Sequence, residues 1–342
     1  MKALVLQDDR SLRLTHRRRP EVTAPDDVVV RVAQTGFCGT DRGVLLGRFP
    51  AAPGVVMGHE AVGEVVEVGA GVTTLRPGDR VAANPTLYCG LCSWCRRGAL
   101  NFCLHKAGNE IGIDRDGAFA EYLRLEERFL HPLPSGMSYD RAVLVEPLAC
   151  VMNNLEAARL RTADEVVVLG GGPIGVLVAL LADHAGARAR LAEPDPYRRA
   201  AAQSYFAGIP GCAVTVTEPD RIAARSASLV VDTVGALLDR ACDIADNLGR
   251  VVVMGFHDKA TAILRPLDVL QRGLTVIGAG DYNSLIFVRA VELARHLPLE
   301  GIVTHHVRLD DFTDALDTLG IAPGAPRPYT GMKVVITTGG GR

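Results

Sequence analysis

The chain has 342 residues, enough for two ordinary domains, and its 48% hydrophobic and 22% charged content excludes the disordered and fibrous classes. A formal net charge of -2, with no basic stretch beyond HRRRP, leaves no electrostatic footprint for nucleic acid. The opening MKALVLQDDR is too poor in apolar residues for a secretory signal, and the longest apolar run, IGVLVALLA, stops short of a membrane span; a cytoplasmic protein is expected, whose eight cysteines suit metal better than disulfides.

Along the chain, residues 1–148 carry short β-branched runs punctuated by Gly and Pro: DVVVRVAQTGFCG, VVMGHEAVGEVVEVG, DRVAANP and AFAEYLRL. That spacing predicts a β-rich, barrel-like domain, interrupted at about 85–106 by a cysteine lobe. VEPLACVMNNLEAARL reads as a linking helix. From 149 to 288 the pattern changes to EVVVLG, RARLAE, AVTV, LVVDTV, RVVVMG and LTVIGAG, continuous apolar runs that suit strands of a parallel sheet covered on both faces. Between them PIGVLVALLADHAG and YRRAAAQSYFAG read as helices ending near Gly, which gives a doubly wound α/β domain. Residues 289–342, with FVRAVELARHL, DDFTDALDTL and the strand MKVVITT, look like a return to the first domain, and GIAPGAPRPYTG reads as a loose loop.

Three groups of residues carry chemistry. In EVVVLGGGPIG, Gly170, Gly172 and Gly175 have G-x-G-x-x-G spacing between a strand and a helix, with Pro173 and Ile174 opening the helix. Gly170 makes the tight turn, Gly172 lets backbone approach a pyrophosphate, and Gly175 lets helix pack on strand. Glu193, at the end of the next strand, stands where a ribose diol is hydrogen-bonded. Cys89, Cys92, Cys95 and Cys103 have spacing C-x2-C-x2-C-x7-C; four thiolates close a tetrahedral zinc site with no vacancy for substrate, the mark of a structural metal, with an iron-sulfur cluster as the alternative. The third group is Cys38 in GFCGTD, His59 in GHE, and Glu60 or Glu146, mixed donors that suit zinc with one position open. Singly, these read as a small buried hydrophobe, a core histidine and a helix-start carboxylate; their joint presence with the lobe and the glycine turn favours metal. Cys150, Cys212 and Cys242 lack ligand spacing and read as buried apolar residues.

Taken together, GFCGTD, GHE, the cysteine lobe, EPLA and GGGPIG resemble the zinc-dependent medium-chain dehydrogenase/reductase superfamily over essentially the whole chain. GHE and EPLA are most similar to its polyol, sugar-alcohol and threonine dehydrogenase branch, in which a glutamate stands where alcohol dehydrogenases place a second cysteine. The resemblance implies a GroES-like catalytic domain joined to a Rossmann NAD-binding domain, with two zinc ions per chain. It implies a catalytic zinc held by Cys38, His59 and Glu60 or Glu146, with Asp41 orienting His59 and Thr40 accepting the alcohol proton. Lys333 would reach toward the cofactor pyrophosphate, and Arg198 occupies a place where NAD-using relatives also carry an arginine. Many relatives have a proton-relaying histidine where this chain has Gly43, so the outward proton route departs from the pattern; water, Arg42 or a cofactor ribose hydroxyl would have to complete it.

The expected function is reversible, NAD-linked oxidation of a secondary alcohol to a ketone on a small polar substrate held between the domains: a polyol, sugar, cyclitol or aminocyclitol, with a threonine-like amino alcohol as runner-up. A non-catalytic zinc- and dinucleotide-binding protein is the rival from another class. The apolar LTVIGAG strand suggests a homodimer or homotetramer.

Overall fold

The computed structural model describes residues 1–321 and 328–339. The chain divides into two compact units, Met1–Ala149 with Tyr282–Pro328 and Lys333–Arg342, and Cys150–Asp281 with Tyr329–Met332. The return to the first unit therefore falls at Tyr282, ahead of the expected 289, because this fully buried tyrosine packs with Phe287 at 5.6 Å between ring centroids. Of the loop GIAPGAPRPYTG, residues 322–327 lie outside the described residues, while Tyr329–Met332 belong with the second unit.

The first unit is built on a seven-stranded sheet whose centre is the ten-residue strand Asp27–Gly36. Glu60–Val68 pairs with it antiparallel along one edge; Tyr122–Glu126 and then Lys333–Thr337 pair with it along the other. Both faces of this strand are covered. Val28, Val30 and Val32 pack with Leu123, Leu125 and Phe129 in one core, where full burial of a side chain of that size contributes about 1.5–3 kcal/mol. A second core joins Phe37, Val44, Met57, Phe119, Val334 and Ile336. The register sets Gly36 opposite both Glu60 and Val335, so the strand ends that carry Cys38, Glu60 and Lys333 converge. The hairpin of Lys2–Leu6 with Leu12–His16 adds a small sheet.

In the second unit six parallel strands are ordered Thr215–Thr217, Arg188–Ala192, Glu165–Leu169, Ala227–Asp232, Ala245–Val253, Thr275–Ile277. Counted along the chain this is 3-2-1-4-5-6, the doubly wound order whose dinucleotide crevice opens beside the first strand. The helix Pro173–His184 buries Val176, Leu177, Val178, Leu180 and Leu181, which explains its lack of a polar stripe. Among the described residues no helix is long and apolar enough to cross a membrane.

Candidate active site and metal centres

Cys38 follows the central strand and is the N-cap of the helix Gly39–Leu45. Its amide donates to Asp41 Oδ2 at 2.9 Å, and Thr40 Oγ1 lies 3.7 Å from its sulfur. His59 and Glu60 come from the adjoining strand edge, and ligand atoms of Cys38, His59 and Glu60 all lie within 4.8 Å of one another. Thiolate, imidazole and carboxylate at that spacing, with a buried His59 Nδ1 that has no hydrogen-bond partner, fit a zinc ion with room for a further ligand.

The electrostatics favour cations. Burial alone would lower the His59 pKa, but the charges of Cys38 and Asp41 hold it well above its ordinary value. Burial pushes the carboxyls of Asp41 and Glu146 up, with His59 opposing in each case.

Asp41 serves two neighbours: its Oδ2 accepts from the Cys38 amide, and its Oδ1 lies 3.9 Å from His59 Nδ1, at ion-pair rather than hydrogen-bond distance. Lys333 is held within the first unit. Its ammonium is buried, ion-paired with Glu60, and donates to the Phe37 carbonyl at 2.9 Å. Burial opposes the charge, yet Glu60 keeps the Lys333 pKa above its usual value. A Cβ at Gly36 would overlap the Glu60 carboxylate and crowd the Lys333 side chain, so glycine at that register position makes the pair possible.

Glu146 sits in the helix Val145–Ala157 and is buried. It stands outside the three-residue ligand group, and its Oε1 accepts a 3.0 Å hydrogen bond from Tyr282. Tyr282 and Gly36 are the site residues that sequence reasoning missed. Tyr282 is separated from Glu146 by 136 positions, a distance no local pattern bridges.

The cysteine lobe has a different construction. Four sulfurs each about 2.3 Å from a common centre stand roughly 3.8 Å apart in a tetrahedron. Here Cys92 and Cys95 are 3.4 Å apart, and Cys89–Cys95 and Cys92–Cys103 are each 3.9 Å apart. Amides of Leu91 and Cys92 donate to Cys89, and those of Cys89 and His105 donate to Cys103. Backbone donors from Cys95 and Leu104 pull the Cys92 thiol down to about 6. The set fits a closed tetrathiolate.

At the glycine turn, Gly170 has φ 104°, Gly172 caps the helix with Pro173 in its first turn, and a Cβ at Gly175 would overlap the Gly170 carbonyl. Glu193 follows its strand directly and is buried, accepting from the amides of Gly171 at 2.5 Å and Asp195 at 2.7 Å. Its carboxylate is thereby fixed beside the turn.

Residues 24–135 match the alcohol dehydrogenase GroES-like domain. A sorbitol dehydrogenase of Halalkalibacterium halodurans is 40% identical over 188 residues, an alignment that spans 54% of this chain and 54% of the relative. A D-arabitol-phosphate dehydrogenase of Enterococcus avium is 30% identical over 316 residues, 87% of this chain and 88% of its own. The chain belongs to the zinc-dependent medium-chain dehydrogenases. Among solved structures, a Sinorhizobium meliloti protein described as a zinc-binding dehydrogenase and bound to NADP has a TM-score of 0.86 at 28% identity, covering 98% of each chain.

The dehydrogenase is thus a zinc alcohol/polyol dehydrogenase with zinc and a nicotinamide dinucleotide as its cofactors. Its four-cysteine lobe and its Cys38–His59–Glu60 group are the two places among the described residues where His, Cys, Asp and Glu gather closely enough to hold a metal.

Proposed function

We propose that the dehydrogenase oxidises a secondary alcohol of a polyol, sugar or cyclitol to the ketone, with NAD as the hydride acceptor. The observation that carries this reading is Glu146. A carboxylate buried close to His59 and Glu60 and held by the Tyr282 hydroxyl is costly to desolvate. It is well used by a substrate with several hydroxyl donors.

When bound, zinc supplies Lewis acidity to the alcohol oxygen and the dinucleotide accepts hydride. Cys38, His59 and Glu60 would hold the metal, and Asp41 keeps Cys38 in place by accepting a hydrogen bond from its amide. Thr40, beside the Cys38 sulfur, would accept the alcohol proton as its own hydroxyl proton moves to water or to a ribose hydroxyl of the bound dinucleotide. Gly43 offers no side chain to continue that route. Lys333 balances the charge of Glu60. Glu193, anchored by two backbone amides, retains lone pairs for both ribose hydroxyls and repels a 2'-phosphate, which supports NAD over NADP.

The test is turnover of polyols, sugars, cyclitols and amino alcohols with NAD and with NADP, followed by absorbance of the reduced cofactor. The reading expects polyhydroxylated substrates and NAD to give the highest kcat/KM. Threonine leading the series would overturn the substrate class, and no turnover with any alcohol would leave a binding protein.

We also infer a homodimer, a unit from which a homotetramer can be built, in the cytoplasm, where a reducing poise leaves the lobe thiols free for zinc. The strand Thr275–Ile277 lies at the open edge of its sheet, and Leu248 and Leu270 nearby are 80% and 77% exposed, so a second copy pairing edge to edge would satisfy both strand and apolar surface. Light scattering of Val276→Pro distinguishes this from a monomer: the wild type should have at least twice the chain mass and the variant should dissociate.

A further inference from the structure

The two arginines after Glu193 are held in different ways. Arg199 is committed away from the glycine turn: its guanidinium donates to the carbonyls of Glu193 and Pro194, each at 2.9 Å, and to Glu218 at 3.0 Å. Arg198 faces the turn. Its amide is capped by Asp195, and one of its terminal nitrogens lies 3.8 Å from where a Cβ on Gly172 would be. Its Nε is buried and has no hydrogen-bond partner. Its guanidinium carbon lies 3.4 Å from the centroid of the Tyr329 ring, close enough for the planes to be in van der Waals contact. Tyr329 belongs to the short Tyr329–Met332 segment that packs with the second unit.

A ring against one face of a guanidinium leaves the in-plane N–H groups free to donate. It also restricts a long, rotamer-rich side chain to one place, a cost that binding would otherwise have to meet. At this place the helix N-terminus and the close backbone approach at Gly172 already favour an anion.

We propose that Tyr329 is a cofactor-positioning residue, whose ring holds the Arg198 guanidinium against the glycine turn so that its edge is presented to the dinucleotide phosphates. This rests on the reading that the dinucleotide binds at this turn beside Glu193. The same hold keeps Arg198 from swinging toward a 2'-phosphate, so Tyr329 also contributes to discrimination between the two dinucleotides.

The experiment is a double-mutant cycle read by direct binding, with NADH and NADPH titrated separately by their own fluorescence into the zinc-loaded protein. Tyr329→Leu keeps apolar bulk and removes the π face; it should raise the NADH Kd by about two- to thirtyfold, the span of a cation–π contact. Tyr329→Phe should bind as the wild type does. In the Arg198→Met background, Tyr329→Leu should have no further effect on either cofactor. The ratio of NADPH to NADH Kd should fall in Tyr329→Leu alone. Equal weakening with and without Arg198 would show that Tyr329 acts on the cofactor by itself, and unchanged binding in Tyr329→Leu would show that it does nothing; either result overturns the proposal. A wild type that prefers NADPH would overturn the Glu193 reading, while the coupling of Tyr329 to Arg198 would still be read from NADPH. Failure to bind either dinucleotide would overturn both.

Discussion

The lobe and the Cys38 site are both metal-binding groups of the first unit, yet they are built to opposite ends. In the lobe, four identical soft donors close on one point, and the surrounding backbone amides are spent on the sulfurs themselves. At Cys38, His59 and Glu60 the donors differ in kind, one carboxylate is shared with Lys333, and Thr40 and Glu146 stand by without joining the ligand group. A closed set of four leaves zinc nothing to do but hold chain together, whereas an unsaturated mixed set leaves it a position for chemistry. Donor identity therefore separates scaffold from reagent in a single polypeptide.

The largest expected effect breaks the comparison at its root. Cys38→Ser should lose one zinc and lower kcat/KM by on the order of a thousandfold or more, since a Lewis acid is worth several kcal/mol at the transition state. The melting temperature should hardly move. Cys92→Ser should lose the other zinc and lower the melting temperature instead. Metal content by mass spectrometry alongside thermal melts checks both. Next in size, Thr40→Ala should reduce kcat by about a hundredfold, the lower range for a lost proton-transfer group, with dinucleotide Kd unchanged. Turnover close to wild type in that variant would make Thr40 a packing residue.

Much of this contrast was legible in the sequence, because it depends on residue type at short spacing. C-x2-C-x2-C-x7-C, GFCGTD, GHE and the glycine turn each lie within one local segment, and the apolar runs of the second unit map directly onto its six strands. What could not be read depends on strand register. That Gly36 faces Glu60 follows from the antiparallel pairing of neighbouring strands, and that Lys333 reaches the same point follows from pairing with a last strand hundreds of residues away. Asp41 combines both kinds of contact: its spacing to Cys38 allows a local bond from that amide to Oδ2, whereas the approach of Oδ1 to His59, 3.9 Å away, depends on the neighbouring strand.

Specificity for the dinucleotide sharpens the account at the second unit. Glu193→Ser should reduce the preference for NAD over NADP by about tenfold to a hundredfold, since each hydrogen bond lost to a charged group costs roughly 1.5–3 kcal/mol. The measurement is kcat/KM with each cofactor in wild type and variant, and an unchanged ratio would mean that Glu193 does not face the ribose.

The smallest effect separates stability from catalysis. His131 stacks on Phe287 at 4.7 Å in the first unit, and burial holds its pKa down to about 4. Its folded pKa lies below the unfolded value of about 6.5, so the unfolded chain binds the extra proton. The stability contribution is complete above about 6.5 and is lost as pH falls toward 4, by at most about 3 kcal/mol. Denaturant titrations across that window should show this acid limb, and His131→Leu should flatten it.

Stepwise removal of zinc tests the division between scaffold and reagent most directly. A chelator is titrated against the wild type while released metal, turnover and melting temperature are read on the same samples. The open Cys38 site should release its zinc first, so the account predicts that turnover disappears with the first equivalent while the melting temperature holds. The melting temperature should then fall only as the second equivalent leaves the lobe. Turnover that survives loss of the first equivalent and disappears only as the fold melts would contradict it.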